Sequence, residues 1–331
     1  MRERFRELKA IVPAAGIGKR LRPHTLTTPK VLFNVAGKPV IGHILDFLIE
    51  AGVDEIVVVV GYEASQVERY LAENYPDSTS SVVQSERKGL GHAVGIALED
   101  SDEPAIILLG DTIIDIDLKN LLGKSNSAIG VRRVENPQAF GIVEMDGEYA
   151  SKLVEKPEEP TSDLAIAGIY RIQNQSLLKR SIDGMIEQNI TTKGEIQLTD
   201  ALQDLIDNGE KIEIFDVENW YDCGSRSTIL DTNRILLDKS GGSNAKHNGS
   251  VVTDPCYIAS SAQLVNSIVG PHVTIDEGAI IKNSIITNSV IAKGATLENC
   301  SMTDSIIGEH ALVHGTVRKL SVGDYSEIKF D

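Results

Sequence analysis

The sequence predicts a doubly wound α/β sheet followed by a solenoid of short strands, and three observations carry that reading. Aliphatic runs at residues 8–12, 55–60 and 105–109 alternate with amphipathic segments, as strands covered on both faces by helices do. Turns bearing Gly16, Gly61 and Gly110 close those runs. Beyond residue 240 the text repeats instead: residues 281–295 align on 297–311 at an offset of 16, pairing Ile281 with Leu297, Asn283 with Asn299, Ile291 with Ile307 and Ala295 with Ala311. A chain of 331 residues exceeds the size at which one core stops growing, so two domains are expected, at residues 1–239 and 240–331.

The first strand feeds residues 13–30, PAAGIGKRLRPHTLTTPK. Ala14, Ala15, Gly16 and Gly18 let the backbone approach a ligand closely and turn amides toward phosphate oxygens. Arg20, Arg22 and Lys30 make the loop locally basic in a chain of net charge -16, and a polyphosphate explains that concentration of cations. A dinucleotide fingerprint does not fit, because Leu21 stands where the third glycine belongs and Pro23 would interrupt the helix. The Gly-Lys-Ser/Thr ending of a P-loop is missing too. A different phosphate loop remains.

Residues 31–35 read as a short extended piece. Pro39 then opens a helix to Ala51, with Val40, Ile44, Leu45, Phe47 and Leu48 on one face and Gly52 at its end. A strand at 55–60, a polar helix at 65–74 and a strand at 81–84 follow, and a second glycine turn at 85–91 leads into a helix at 92–98. Ligands of such sheets bind beyond the carboxyl ends of strands, which groups Gly16, Gln84 and Gly89. The Gln84 amide both donates and accepts, as the edge of a base requires; read alone, it is a turn residue. Asp111 ends the strand at 105–109, where a carboxylate suits Mg²⁺, an ion that takes hard oxygens and one or two carboxylates. Asp115 and Asp117 compete for that role. Strands are expected at 129–134, 141–145 and 152–154. After the last, Glu155 offers an acceptor for hydroxyls and Lys156 a point charge for phosphate. A helix at 229–237 and the soft stretch at 240–245 lead to the repeats.

The string at 13–30 resembles the G-x-G-x-R-L-x-P-x-T-x-x-x-P-K signature of sugar-nucleotide pyrophosphorylases, the sugar-1-phosphate nucleotidyltransferases. It matches at Gly16, Gly18, Arg20, Leu21, Pro23, Thr25, Pro29 and Lys30. Gln84 with Gly89-Leu-Gly-His-Ala93 resembles the base-recognition segment, in the wording of the glucose 1-phosphate uridylyltransferase branch. His92 receives no chemistry. Asp111 falls in the apolar-Gly-Asp context of the family's metal-binding aspartate. Glu155-Lys156-Pro157 is similar to the segment that holds the sugar 1-phosphate, Phe140-Gly141-Ile-Val to the stretch that precedes it, and residues 167–170, ending in Tyr170, to the strand that walls the sugar pocket. The segment 192–200 agrees at Gly194, Glu195, Thr199 and Asp200, with Lys193 where some members have arginine, so a bidentate phosphate contact is lost. Trp220-Tyr-Asp222-Cys-Gly224-Ser225 resembles W-x-D-x-G-T, which implies Asp222 as second metal ligand. The repeats resemble a hexapeptide-repeat left-handed parallel β-helix.

The resemblance implies a Rossmann-like mixed sheet, then the β-helix, and a reaction of a nucleoside triphosphate with a sugar 1-phosphate to give a nucleoside-diphosphate sugar and pyrophosphate. Arg20, Lys30 and Lys156 are implied as catalytic. Ala14, Ala15, Gly16, Gly18, Gln84 and Gly89 are implied to bind nucleotide; Gly141, Glu155, Lys156, Tyr170 and Lys193 the sugar phosphate; Asp111 and Asp222 Mg²⁺. Glucose 1-phosphate with UTP or dTTP leads. Mannose 1-phosphate with GTP, a regulatory relative without turnover, and an acyltransferase activity of the β-helix using His272, His310 or His314 stand behind it. The 48 acidic against 32 basic residues argue against a nucleic-acid partner. Cys223, Cys256 and Cys300 are too scattered for a disulfide framework. With no leader or spanning segment visible, a cytoplasmic homo-oligomer joined through the β-helix is expected, with small-molecule substrates and no membrane partner.

Overall fold

The computed structural model describes residues 8–240, 249–315 and 320–329. The chain divides into two compact units, Met1–Gly16 with Ile44–Trp220, and Ile17–His43 with Tyr221–Asp331. Beyond Ser240, the soft stretch expected at 240–245 lies outside the described residues. No described helix is long and apolar enough to cross a membrane.

The first unit is built on a nine-stranded mixed sheet in the order Thr79–Val83, Glu55–Val60, Lys9–Pro13, Ala105–Leu108, Leu164–Ile172, Ser127–Arg133, Ile212–Asp216, Tyr149–Glu155, Gly141–Asp146. The first four run parallel, and Leu164–Ile172 is antiparallel to Ala105–Leu108. This is the doubly wound α/β class expected. The valine run Ile56 to Val60 is buried throughout, because β-branched side chains suit a pleated surface covered on both faces. Helices Gln175–Glu187 and Leu198–Asp207 supply Leu178, Ile182, Leu198 and Leu202 to the core that holds Ile11, Ile107 and Tyr170. Asn174 caps the first of these by accepting from Leu177 N at 3.0 Å.

Two local expectations are corrected. Residues 31–35 are not one extended piece. Pro29 fixes the entry angle of a 3-10 turn, Lys30–Leu32, and a two-residue hairpin follows, Asn34–Val35 with Lys38–Pro39. Ala36 and Gly37 take φ 49° and 85° at its turn, the conformation that matches the twist of such short ladders. The helix expected at 92–98 is Leu90–Gly95, ahead of its expected start because Gly89 ends the extended turn one residue before it. The helix from Pro39 is Val40–Glu50, and Gly52 follows at φ 93°.

The second unit carries a parallel β-helix of three sheets, the left-handed solenoid class expected. One inward column runs Leu264, Ile281, Leu297, Val313, Ile328. Its steps of 17, 16, 16 and 15 residues contain the 16-residue offset read from the text. Asn283 and Asn299 occupy coil corners at φ 48° and 57°, a region asparagine tolerates better than most residues. Sealed between the sheets lie Val269, Val273, Ile275 and Ile286.

Candidate functional site

In the first unit, strand ends set the site. Ala14 N donates to Val59 O at 2.8 Å and Gly110 N to Pro13 O at 3.1 Å. A Cβ on Gly110 would stand 2.7 Å from Pro13 O, and one on Gly61 2.8 Å from Ala15 Cβ. Only glycines allow these strand ends to meet. Ala14, Ala15, Gly16 and Asp111 therefore emerge at the carboxyl ends of neighbouring strands, where ligands of such sheets bind.

Gln84 and Gly89, expected to read the base, are joined directly. The buried Gln84 donates from Nε2 to Gly89 O at 3.1 Å, and the same nitrogen lies 3.0 Å from His92 Nδ1. His92 thus holds Gln84 in place, and burial followed by the charge of Lys88 lowers its pKa, favouring the neutral ring that this contact needs. Gly89 sits at φ 111°, where a Cβ would lie 2.5 Å from Ile196 O. Gly91 N donates to Ile196 O and Ile196 N to Lys88 O at 2.8 and 2.7 Å. Two segments separate in the sequence, 85–91 and 192–200, are thereby clamped together.

The group expected for a sugar phosphate is also assembled. Lys156 Nζ lies 3.0 Å from Glu155 Oε1, and Thr199 donates its hydroxyl to Oε2 at 2.8 Å. A Cβ on Gly141 would approach that oxygen to 3.0 Å. Lys193 Nζ donates to Lys156 O at 2.5 Å. Lys156 and Lys193 stand at φ 45° and 55°, a costly region for a side-chain-bearing residue and one that tends to mark function. Tyr170 is buried, and burial, then the Glu155 charge, pushes its phenol well above the usual range. Sequence reasoning missed the role of Thr199, whose only signal was its place in the 192–200 segment. Asp200 Oδ2 and Trp220 Nε1 are buried without a hydrogen-bond partner among the described residues, and the Trp220 ring meets Phe140 edge-on at 5.0 Å. A shallow cavity of about 780 Å³, lined by Arg133, Glu144, Thr161 and Asp163 among others, contains none of the expected residues.

The second unit holds Arg20, Lys30 and Asp222. Gly18 takes φ 62°, its carbonyl accepts the Thr25 hydroxyl at 2.7 Å, and a Cβ there would lie 3.0 Å from Lys30 Cβ. Leu21 is buried while Arg20 is exposed on the same turn. Gly224 N donates to Asp222 Oδ1 at 3.1 Å. A Cβ on Gly224 would stand 2.5 Å from Arg20 Nη2 and 2.9 Å from Asp222 Oδ1, so that glycine exists to let an arginine and an aspartate crowd one backbone position.

The donor chemistry of Asp111 and Asp222 fits Mg²⁺. Asp111 lies in the first unit and Asp222 in the second, and among the described residues no group of three or more His, Cys, Asp or Glu suited to a metal occurs.

Glycine-lined strand ends, clustered cations and a held hydroxyl acceptor define a class, the enzymes that transfer phosphate-linked groups. Over residues 9–239 the chain matches the nucleotidyl transferase family, and it belongs to that family. It is 35% identical to the low-salt glycan biosynthesis nucleotidyltransferase Agl11 of Haloferax volcanii, over 75% of this chain and 70% of that one. It is 34% identical to the bifunctional protein GlmU of Methanococcus maripaludis over 83% of this chain, but spans only 62% of that protein's length. A glucose-1-phosphate thymidylyltransferase of Streptomyces antibioticus is 29% identical over 86% of this chain and 87% of its own. The structure of a UDP-glucose pyrophosphorylase complexed with UDP-glucose matches with a TM-score of 0.59 at 26% identity, covering 70% of this chain and 98% of that one.

Proposed function

We propose that the protein joins glucose 1-phosphate to UTP or dTTP, releasing pyrophosphate. The Glu155 cluster supports this reading: a carboxylate held by Thr199 offers an acceptor for sugar hydroxyls, with Lys156 and Lys193 beside it for the phosphate. A phosphate oxygen of the sugar 1-phosphate attacks the α-phosphorus in line. The new P–O bond forms as the bond to the β-phosphate bridge breaks, and pyrophosphate leaves with that electron pair. Positioning and charge neutralisation then supply the catalysis.

Arg20 and Lys30 take the triphosphate charge, with the small residues Ala14, Ala15, Gly16 and Gly18 admitting it. Gln84, with Gly89, meets the base. Glu155 and Tyr170 orient the sugar beside Gly141, while Lys156 and Lys193 hold its phosphate. Asp111 and Asp222 would hold Mg²⁺, which when bound neutralises phosphate charge. A cytoplasmic site of action and self-association through the β-helix belong to the same reading, the latter checked by sedimentation of the full chain.

The relatives named for thymidylyl transfer and for UDP-glucose support glucose 1-phosphate and a pyrimidine. Uracil and thymine present the same hydrogen-bonding edge, so discrimination rests on one methyl group, about 1 to 3 kcal/mol. Pyrophosphate release with Mg²⁺, over UTP, dTTP, GTP and ATP against glucose, mannose and N-acetylglucosamine 1-phosphates, tests the reading. Highest kcat/KM with glucose 1-phosphate and a pyrimidine triphosphate is expected. Preference for GTP with mannose 1-phosphate would replace the substrates, and absence of turnover with every pair would refute the reaction.

A further inference from the structure

The phosphate loop is fastened by the far end of the chain. Within the second unit, residues 23–28 meet residues 321–324 through three kinds of contact. His24 Nε2 lies 2.8 Å from Ser321 Oγ. A Cβ on Gly323 would stand 3.0 Å from Pro23 Cβ, so the last coil presents bare backbone to the proline. Asp324 Oδ2 accepts the hydroxyls of both Thr27, through a short hydrogen bond, and Thr28, at 3.3 Å. Its other oxygen accepts Glu309 N at 2.7 Å, which ties the carboxylate to the preceding coil. Both oxygens are engaged, so the side chain has little freedom to release the threonines.

Leu26 is 53% exposed, and Pro23 and Thr27 are exposed as well; of residues 23–28 only His24 and Thr25 are buried. Thr27 and Thr28 immediately precede Pro29-Lys30 and follow the turn that displays Arg20. Hydroxyl bonds to an ionised carboxylate are shorter and stronger than neutral ones, which suits an exposed tether. Small displacements of charged positioning groups carry large rate costs.

We propose that Asp324, in the last coil of the β-helix, is a positioning residue for the phosphate loop, holding Arg20 and Lys30 where they receive the nucleoside triphosphate. The assignment rests on the reading of that loop under Proposed function. It makes the solenoid a working part of the transferase rather than an appended module.

The test uses the full chain with Asp324→Ala, Asp324→Asn, Thr27→Val and the Thr27→Val/Asp324→Ala double variant. Steady-state kinetics of pyrophosphate release are measured with the triphosphate that the wild type prefers, alongside hydrogen exchange of loop amides 18–32. Asp324→Ala is expected to raise KM for the triphosphate about tenfold, as loss of charge-assisted hydrogen bonds implies. KM for the sugar 1-phosphate should stay within about twofold, and loop exchange should quicken. Asp324→Asn retains acceptor capacity and should fall between, which keeps the test valid if the alanine variant folds poorly. The double variant should be no worse than Asp324→Ala alone, because Asp324→Ala already removes the contact that Thr27→Val removes. Unchanged loop exchange, KM values for both substrates rising together, or fully additive effects would each overturn the assignment. A wild type without turnover on any substrate pair refutes the transferase reading itself, and this proposal with it; an active wild type beside an unaffected Asp324→Ala removes only the proposal.

Discussion

Thr199 donates its hydroxyl to Glu155 Oε2 at 2.8 Å while the other carboxylate oxygen faces Lys156. One helix-borne hydroxyl thus fixes how the carboxylate is turned. Thr199→Val keeps the shape and removes the donor to a carboxylate whose side chain is only 11% exposed, at a cost of about 1 to 3 kcal/mol. The expected outcome is a fall of roughly tenfold or more in kcat/KM for the sugar 1-phosphate with KM for the triphosphate unchanged. Kinetics with each substrate varied in turn decide it, and equal loss for both substrates would remove Glu155 from sugar binding.

The sequence made much of this arrangement legible, for reasons that differ between its parts. The valine run at 55–60 and the 16-residue offset of the repeats are periodic, and periodic burial is what a sheet and a solenoid impose on composition. Gly18, Gly89 and Gly224 were visible as glycines, but what they make room for was not: Lys30 and Thr25, Ile196, and Arg20 with Asp222 respectively. Ile196 lies 107 residues from Gly89 and Arg20 204 residues from Gly224, and no local pattern encodes either approach. The hairpin at Ala36-Gly37 was missed because a two-residue strand has no periodicity to read. Thr199 was missed because its partner belongs to a strand 44 positions earlier.

Gly89 should be intolerant of any side chain. At φ 111°, with a virtual Cβ only 2.5 Å from the Ile196 carbonyl, Gly89→Ala combines backbone strain with a clash against a main chain that cannot swing aside. A loss of roughly 2 kcal/mol or more in unfolding free energy is expected by denaturant titration, together with a raised KM for the triphosphate, since Gln84 loses its grip on Gly89 O. Stability equal to the wild type would show that the 85–91 turn does not press on Ile196 in solution.

Asp111→Asn and Asp222→Asn test the metal assignment. Each keeps size and removes charge, so the fold should survive, as judged by unchanged circular dichroism. Turnover should fall by at least about a hundredfold, because charge neutralisation at transferring phosphates is the largest share of such catalysis. Gly224 N donates to Asp222 Oδ1, and the amide oxygen of Asn can accept the same bond, so the loss at Asp222 should reflect the removed charge rather than a broken turn. Wild-type rates in either variant would take that residue out of the site.

Two buried titrations in the second unit oppose each other. Asp276 is buried with a hydrogen bond to Asn34, and burial first, then Glu309 and Glu277, pushes its carboxyl up to about 7 against the attraction of Lys293. The folded state therefore keeps a proton that the unfolded chain releases near 3.8, and stability falls as pH rises from that value to about 7. His24, only 2% exposed, runs the other way. Burial, opposed by Asp324 and reinforced by Arg226, lowers its pKa from 6.5 to about 4. The unfolded chain then takes up a proton that the fold refuses, so stability falls as pH drops below about 6.5 and the loss is complete near 4. By linkage the two are worth roughly 4 and 3 kcal/mol, opposite in sign over nearly the same window, and they should largely cancel in the wild type. Removing one exposes the other. Asp276→Asn should leave a protein whose unfolding temperature climbs from pH 4.5 to 7, and His24→Asn one whose unfolding temperature declines over that range. Thermal unfolding of the three proteins at pH 4.5, 5.5, 6.5 and 7.5 checks both slopes. Parallel profiles would mean that neither group is held in the uncharged form by its surroundings.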